Sequence, residues 1–167
     1  GGGIFPSFVR LSSGDEFSTG IGLSSSKVTR LSFDNKSYYV GRNAHSHGRP
    51  LDTIDYDRLL GSPEIKALFY GSMVETFGRN SIPPSVSVVA GLPIELLKGS
   101  QGRSTATKVR EWITGTHEWS MGREGLSVNV EKVNITSQPA GALLDHILDD
   151  NGNVANNPKE MGIISVG

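Results

Sequence analysis

The stretch Leu126–Leu148, LSVNVEKVNITSQPAGALLDHIL, predicts a β-strand that leads directly into an α-helix. Apolar and polar residues alternate from Leu126 to Thr136, which is typical of a strand with one face in water. Apolar residues from Ala140 to Leu148 favour a helix, and Gln138-Pro139 stands just before it. A glutamine at such a junction can orient a water molecule for attack on a phosphoryl group, or it can simply serve as a turn residue.

A second junction follows the run Ser85–Ala90, SVSVVA. This short, largely β-branched run between Pro84 and Gly91 predicts a central strand that is buried on both faces. Gly91-Leu92-Pro93 then turns the chain at the end of that strand. In open α/β sheets, ligands bind beyond the carboxyl ends of strands. Both junctions are therefore candidate parts of a ligand site.

Two further segments have clear local signals. Lys27–Val40 predicts a hairpin around Asp34-Asn35-Lys36, because Asp and Asn tolerate positive φ in turns. Ser62, Pro63 and Glu64 together predict the start of a helix, and Gly78 predicts its end. The apolar face of this helix is expected to comprise Ile65, Leu68, Phe69, Met73, Val74 and Phe77.

Four further elements are predicted. We expect strands at Ile4–Leu11 and Met161–Val166, and helices at Thr53–Leu60 and Thr105–Thr114. Strands come first, and helices and strands then alternate. This order predicts a layered α/β domain with a mixed sheet.

Composition excludes several classes of site. The chain has 167 residues, a formal net charge of -1 and no cysteine. Without cysteine there is no disulfide, no thiolate zinc site and no cysteine nucleophile. The charge balance gives no general attraction to nucleic acid, and no apolar run reaches the roughly 20 residues that span a bilayer. We therefore expect neither direct nucleic-acid binding nor membrane insertion.

Motifs for metal and nucleotide chemistry are largely missing. Lys98 lacks the preceding glycines of a phosphate-binding Walker loop. His45 and His47 have no acidic or histidine partner nearby, so we predict no metal site there. His117 is isolated and is expected to be a helix or loop residue. Trp112 and Trp119 are expected to anchor the core, with a stacking role as the alternative.

Five segments resemble, in order, the motifs of prokaryotic actin-like proteins of the ParM/StbA type. They are Lys36–Ala44 (KSYYVGRNA), Val88–Pro93 (VVAGLP), Lys108–His117 (KVREWITGTH), Ile135–Leu144 (ITSQPAGALL) and Met161–Gly167 (MGIISVG). The resemblance spans most of the chain.

The resemblance implies an RNase H-like fold, the actin-like ATPase lobe, with a mixed sheet flanked by helices. It implies ATP or GTP with Mg²⁺ bound between two such lobes. It also implies filaments in the cytoplasm that move plasmid DNA through a DNA-binding adaptor. By position, Gln138 matches the catalytic residue that orients water, Gly91 and Pro93 line the nucleotide cleft, and Ser165 and Gly167 belong to the second phosphate loop.

On the same resemblance, residues 1–167 are expected to form a single N-terminal lobe. The first phosphate-loop strand and the second lobe would lie outside this segment, so we expect the segment alone to be inactive. Ser165 stands where many relatives have an aspartate that helps to hold magnesium. The alternative is therefore a non-catalytic, actin-like assembly module. A sugar or acetate kinase lobe shares the fold and remains a third possibility.

Overall fold

The computed structural model describes residues 8–12, 29–41, 44, 59–149 and 153–154. Six strands form one sheet in the order β1-β3-β2-β5-β6-β4. No helix among the described residues is long and apolar enough to cross a membrane. The elements are β1 (Val9–Leu11), β2 (Thr29–Phe33), β3 (Lys36–Val40), α1 (Pro63–Phe77), β4 (Ser85–Leu92), a 3-10 helix (Ile94–Leu97), α2 (Gly99–Ile113), β5 (Gly115–Met121), β6 (Glu124–Ser137) and α3 (Gln138–Ile147).

The chain divides into two compact units. The hairpin unit comprises Gly2–Val86 and Gly115–Asn129, and the junction unit comprises Ser87–Thr114 and Val130–Gly167. Strands β4 and β6 each contribute residues to both units. The hairpin unit holds the aromatic core, and the junction unit holds the described residues of the predicted ligand site.

The predicted hairpin is confirmed. Strands β2 and β3 pair antiparallel with Leu31 opposite Tyr38 and Phe33 opposite Lys36. Asp34 and Asn35 form the turn with φ of 48° and 59°. Positive φ at both central residues is the geometry of a two-residue hairpin turn, whose twist matches that of the flanking strands.

Helix α1 begins and ends where its capping residues predict. The Ser62 hydroxyl accepts a hydrogen bond from the Ile65 amide at 3.3 Å. Gly78 ends the helix at φ 79°, and its amide donates to the Val74 carbonyl at 2.9 Å. Positive φ costs glycine little, which explains why the helix stops there.

The predicted apolar face of α1 is only partly correct. Leu68, Phe69, Met73 and Val74 pack against the core, but the fully buried positions are Ala67, Tyr70 and Gly71. Phe77, which was predicted to be buried, remains 39% exposed. The buried positions of α1 are those on the side of the helix that contacts the first three strands. The spacing of apolar residues alone did not show which side that is.

The core of the hairpin unit is dominated by stacked rings. Tyr70 stacks on Trp119 with centroids 4.8 Å apart, and Phe33 stacks on Tyr38 at 4.8 Å. Trp119 is therefore a core anchor, as predicted, whereas Trp112 is only partly buried. The prediction for His117 was wrong: it lies in β5, is buried, and its Nδ1 hydrogen-bonds with the Tyr70 hydroxyl at 3.3 Å. A polar partner inside the core makes this burial possible.

Strand β4 forms where it was predicted but continues to Leu92, so Gly91 and Leu92 extend the strand where the sequence predicted a turn. The burial of β4 also differs from the prediction. Alternate residues Ser85, Ser87, Val89 and Gly91 are exposed, and Val89 is 66% exposed. The prediction of a central strand buried on both faces is therefore wrong. In the described sheet β4 comes last in the order and pairs with β6. Its apolar composition alone could not distinguish this position from a central one.

Two helices begin at other residues than predicted, and one strand was not predicted. Strand β5 was not predicted, although its buried His117 and Trp119 alternate with exposed Glu118. Helix α2 begins at Gly99 and not at Thr105, because its glycine-rich first turns pack against the 3-10 helix. Helix α3 begins at Gln138 and not at Ala140.

Three predicted segments lie outside the described residues, in whole or in part. They are the strand at Ile4–Ser7, the helix at Thr53–Arg58 and the strand at Met161–Val166.

Candidate functional site

The two junctions singled out in the sequence meet within the junction unit. Gly91 lies near the end of β4, and Gln138 is the first residue of α3. A Cβ atom added to Gly91 would lie 3.4 Å from Gln138 Cγ, 3.5 Å from its Cα and 3.7 Å from its backbone nitrogen. Both residues are exposed. The Gln138 side chain therefore lies directly over the Gly91 backbone and remains accessible to a ligand.

The end of β4 is held by a buried residue and a short helix. Leu92 is 4% exposed and anchors the strand end in the interior of the junction unit. Pro93 follows with φ of -51° and precedes the 3-10 helix, where its carbonyl accepts from the Leu96 amide at 3.0 Å. The fixed φ of proline suits this position. The backbone at Gly91 is thus held on its carboxyl side.

The start of α3 is held by a cap. The Ser137 hydroxyl accepts a hydrogen bond from the Ala140 amide at 3.3 Å. A serine in this position satisfies one of the free amides at a helix N-terminus. Because Gln138 follows the cap directly, its backbone position is set by the transition from β6 to α3. No hydrogen-bond partner for its side-chain amide is found among the described residues.

Helix α2 packs closely against the 3-10 helix that follows Pro93. A Cβ atom added to Gly102 would lie only 2.4 Å from the Leu97 carbonyl carbon and oxygen. The guanidinium Nε of Arg110 donates to the Val133 carbonyl of β6 at 3.3 Å. Val109 and Val133 are buried in the same unit. Close backbone packing and this hydrogen bond tie α2 to the 3-10 helix and to the strand that leads to Gln138.

Two predicted site residues cannot be placed. Ser165 and Gly167 lie outside the described residues, as do His45 and His47. Within the described ranges no group of three or more His, Asp or Glu side chains could hold a metal ion. Magnesium bound with a nucleotide is held largely by phosphates and water. Such a ligand does not need a set of carboxylate side chains around the metal ion. The exposed Gly91 backbone and the uncharged Gln138 amide therefore fit it.

The hairpin unit has a polar groove that was not predicted from the sequence. It has a volume of about 410 Å³ and is lined by Ser32, Glu118, Ser120 and Ser127, among others. Ser32 and Ser120 pair across β2 and β5, and the Ser120 hydroxyl donates to the Ser32 carbonyl at 3.3 Å. None of the predicted site residues lines it. Because β5 was not predicted, the sequence offered no signal that these serines lie together.

Comparison with protein families decides which kind of domain this is. The family model for the N-terminal domain of actin-like proteins matches residues 2–141. The chain belongs to this actin-like family. Both Gly91 and Gln138 lie inside the matched region. No curated protein sequence matches the chain.

Solved structures agree on the fold. The apo psk41 ParM protein superposes with a TM-score of 0.64 at 19% identity, covering 89% of this chain and 47% of its own. The AlfA filament bound to AMPPNP superposes with a TM-score of 0.55 at 16% identity, and the match covers 86% of this chain and 49% of the AlfA chain. A second AlfA filament, from a B. subtilis plasmid, superposes with a TM-score of 0.53 at 14% identity, and the match covers 87% of this chain and 50% of the AlfA chain. The chain spans about half the length of each. The predicted actin-like, RNase H-like fold with a mixed sheet flanked by helices is confirmed.

Proposed function

We propose that this chain is the N-terminal, nucleotide-binding lobe of an actin-like ATPase that assembles into filaments. The observation that carries the proposal is the close approach of Gln138 to Gly91, where an added Cβ would lie 3.4 Å from Gln138 Cγ, in a domain of the actin-like family. This approach joins the end of β4 to the start of α3, and this is where α/β sheets bind their ligands. ATP or GTP with Mg²⁺, bound there, supplies the terminal phosphoryl group that hydrolysis transfers to water.

Gln138 is suited to hold the attacking water. Its amide has both an acceptor oxygen and donor hydrogens, so it can fix the position and orientation of one water molecule. Its exposed side chain lies over Gly91, and the Ser137 cap holds the first turn of α3. Orienting the nucleophile lowers the barrier because phosphoryl transfer depends mainly on positioning and electrostatics. By the resemblance to the family, Gly91 and Pro93 would line the nucleotide cleft, and Ser165 and Gly167 would belong to its second phosphate loop.

Assembly is the second part of the proposal. Two of the similar structures are AlfA filaments, one of them bound to AMPPNP and one from a plasmid-encoded protein. By analogy, this protein would form nucleotide-dependent filaments in the cytoplasm and segregate plasmid DNA. The near-neutral charge of the chain favours an indirect link to DNA through a DNA-binding adaptor.

The test is the Gln138→Ala variant of the full-length protein that contains this lobe. We expect phosphate release to fall by roughly two orders of magnitude, with nucleotide affinity nearly unchanged. Gln101→Ala is the matched control, because Gln101 is also an exposed glutamine in a helix. Phosphate release and calorimetric nucleotide binding should be measured for both variants.

Other outcomes distinguish the alternative function. Unchanged turnover in Gln138→Ala would remove this residue from the mechanism. A wild-type protein that forms filaments with nucleotide but releases no phosphate would be a non-catalytic assembly module. A protein that neither binds nucleotide nor assembles would contradict the proposal as a whole.

A further inference from the structure

We propose that Gly91 is a positioning residue for Gln138, and that its missing side chain determines where the Gln138 amide lies. The inference rests on the proposed function, since it concerns the residue that would orient water. It assigns to Gly91 a role in the rate of hydrolysis, beyond lining the nucleotide cleft.

The geometry leaves little space above Gly91. An added Cβ would touch Gln138 at three atoms, its Cγ, its Cα and its backbone nitrogen, all between 3.4 and 3.7 Å. Alanine would therefore fit at contact distance. A β-branched side chain fills two of the three staggered positions around Cβ, so it has little freedom to avoid Gln138.

Strand conformation does not explain the glycine. Gly91 lies in β4, and its φ is not among the positive values found at other glycines. Valine is favoured in strands, and an exposed strand position would ordinarily accept it. Glycine in a strand often marks a place where another segment approaches closely. Here the approaching segment is the first residue of α3.

A second glycine provides a matched control. Gly125 is also an exposed strand residue without positive φ, in β6, but a Cβ added there would meet no atom within 4 Å. Gly125→Val therefore makes the same chemical change without a contact. Any effect specific to Gly91→Val would come from its neighbour and not from valine in a strand.

The experiment compares Gly91→Ala, Gly91→Val and Gly125→Val in the full-length protein. We expect kcat for phosphate release to fall roughly tenfold or more in Gly91→Val, and less than about threefold in Gly91→Ala. Any rise in KM from the position of Gly91 in the nucleotide cleft should be smaller than the fall in kcat, because Gln138 acts on water and not on nucleotide binding. Gly125→Val should leave both constants unchanged.

A double variant separates positioning from general damage. If Gly91 acts through Gln138, kcat of the double variant Gly91→Val/Gln138→Ala should equal kcat of Gln138→Ala alone. If the two residues act independently, the two reductions in kcat should multiply. The NMR signal of the Gln138 side-chain amide, assigned by its loss in Gln138→Ala, should shift in Gly91→Val and not in Gly125→Val.

Three results would overturn the inference. If Gln138→Ala slows turnover but Gly91→Val does not, the positioning role fails while the proposed function stands. If Gly91→Val raises KM and leaves kcat intact, Gly91 affects nucleotide binding alone and does not position Gln138. If Gln138→Ala itself has no effect, the catalytic role of Gln138 and the positioning role of Gly91 both fail.

Discussion

Tyr70 of α1 lies parallel to Trp119 of β5, with ring centroids 4.8 Å apart and an angle of 4° between the ring planes. The two rings join a helix to a strand that is distant in sequence. Tyr70 also hydrogen-bonds His117, two residues before Trp119. This contact is the centre of the hairpin-unit core.

We expect Trp119→Ala to lower the free energy of unfolding by about 3–5 kcal/mol, because it removes a large buried side chain. Trp119→Phe should cost much less. It keeps a stacking ring and removes the buried indole N–H, which has no partner among the described residues. Trp112→Ala, at a partly buried position, is the control. Denaturant unfolding followed by circular dichroism measures all three. Equal losses for Trp119→Ala and Trp112→Ala would contradict the assignment of the core.

Stability should decline at alkaline pH because of Tyr70. Burial, with a smaller effect of the Asp34 charge, raises the pKa of Tyr70 from 10.0 to about 12. Between these values the unfolded chain holds fewer protons than the folded chain, so the free energy of unfolding falls as pH rises. Below pH 10 this contribution is fully present.

The variant Tyr70→Phe cannot titrate, so its stability should fall less steeply between pH 10 and 12 than that of wild type. The free energy of unfolding of Tyr70→Phe should still fall somewhat with pH, since burial and the charges of Glu64 and Asp34 also raise the pKa of Tyr38. Asp34→Asn should reduce the slope slightly. Unfolding titrations below pH 10 and within this window provide the measurement. A slope in Tyr70→Phe as steep as in wild type would show that Tyr70 is not the group responsible.

Two helical glycines should respond in opposite directions to alanine. Gly102→Ala places Cβ 2.4 Å from the Leu97 carbonyl group, so the backbone must shift, and we expect a loss of about 1–3 kcal/mol. Gly141→Ala in α3 meets no atom within 4 Å and should gain up to about 1 kcal/mol from helix propensity. Thermal unfolding of the two variants provides the comparison. A gain of stability in Gly102→Ala would refute the close packing at Gly102, and a loss in Gly141→Ala would refute the open space at Gly141.

The hairpin turn should distinguish residues by their tolerance of positive φ. Asn35 has φ of 59°, so Asn35→Gly should preserve or raise stability. Asn35→Val should cost about 1–2 kcal/mol, because a β-branched residue is strained in this region. Lys36→Val, at the exposed first position of β3, should change stability by less than about 0.5 kcal/mol. If Asn35→Val is as stable as Lys36→Val, the turn does not have this geometry.

The sequence predicted those features that depend on neighbours along the chain. Ser62 and Gly78 marked the ends of α1, Asp34-Asn35 marked the turn, and alternation marked β6. The actin-like motifs indicated the family, which the comparison confirmed. These signals are local, since caps, turns and alternation follow from backbone dihedral preferences and hydrogen bonds within a few residues.

Tertiary structure decided which surfaces are buried and which residues meet. The exposed face of β4 reflects which segments pack against that strand. The hydrogen bond of buried His117 with Tyr70 and the close approach of Gln138 to Gly91 each bring together residues that are far apart in sequence. Burial is a property of the neighbours that pack against a residue, and the identities of those neighbours follow from strand order and helix packing. The sequence by itself therefore determined the family of this protein and those elements that have local signals, but not strand β5. Only the folded chain decided that Gln138 lies over a glycine.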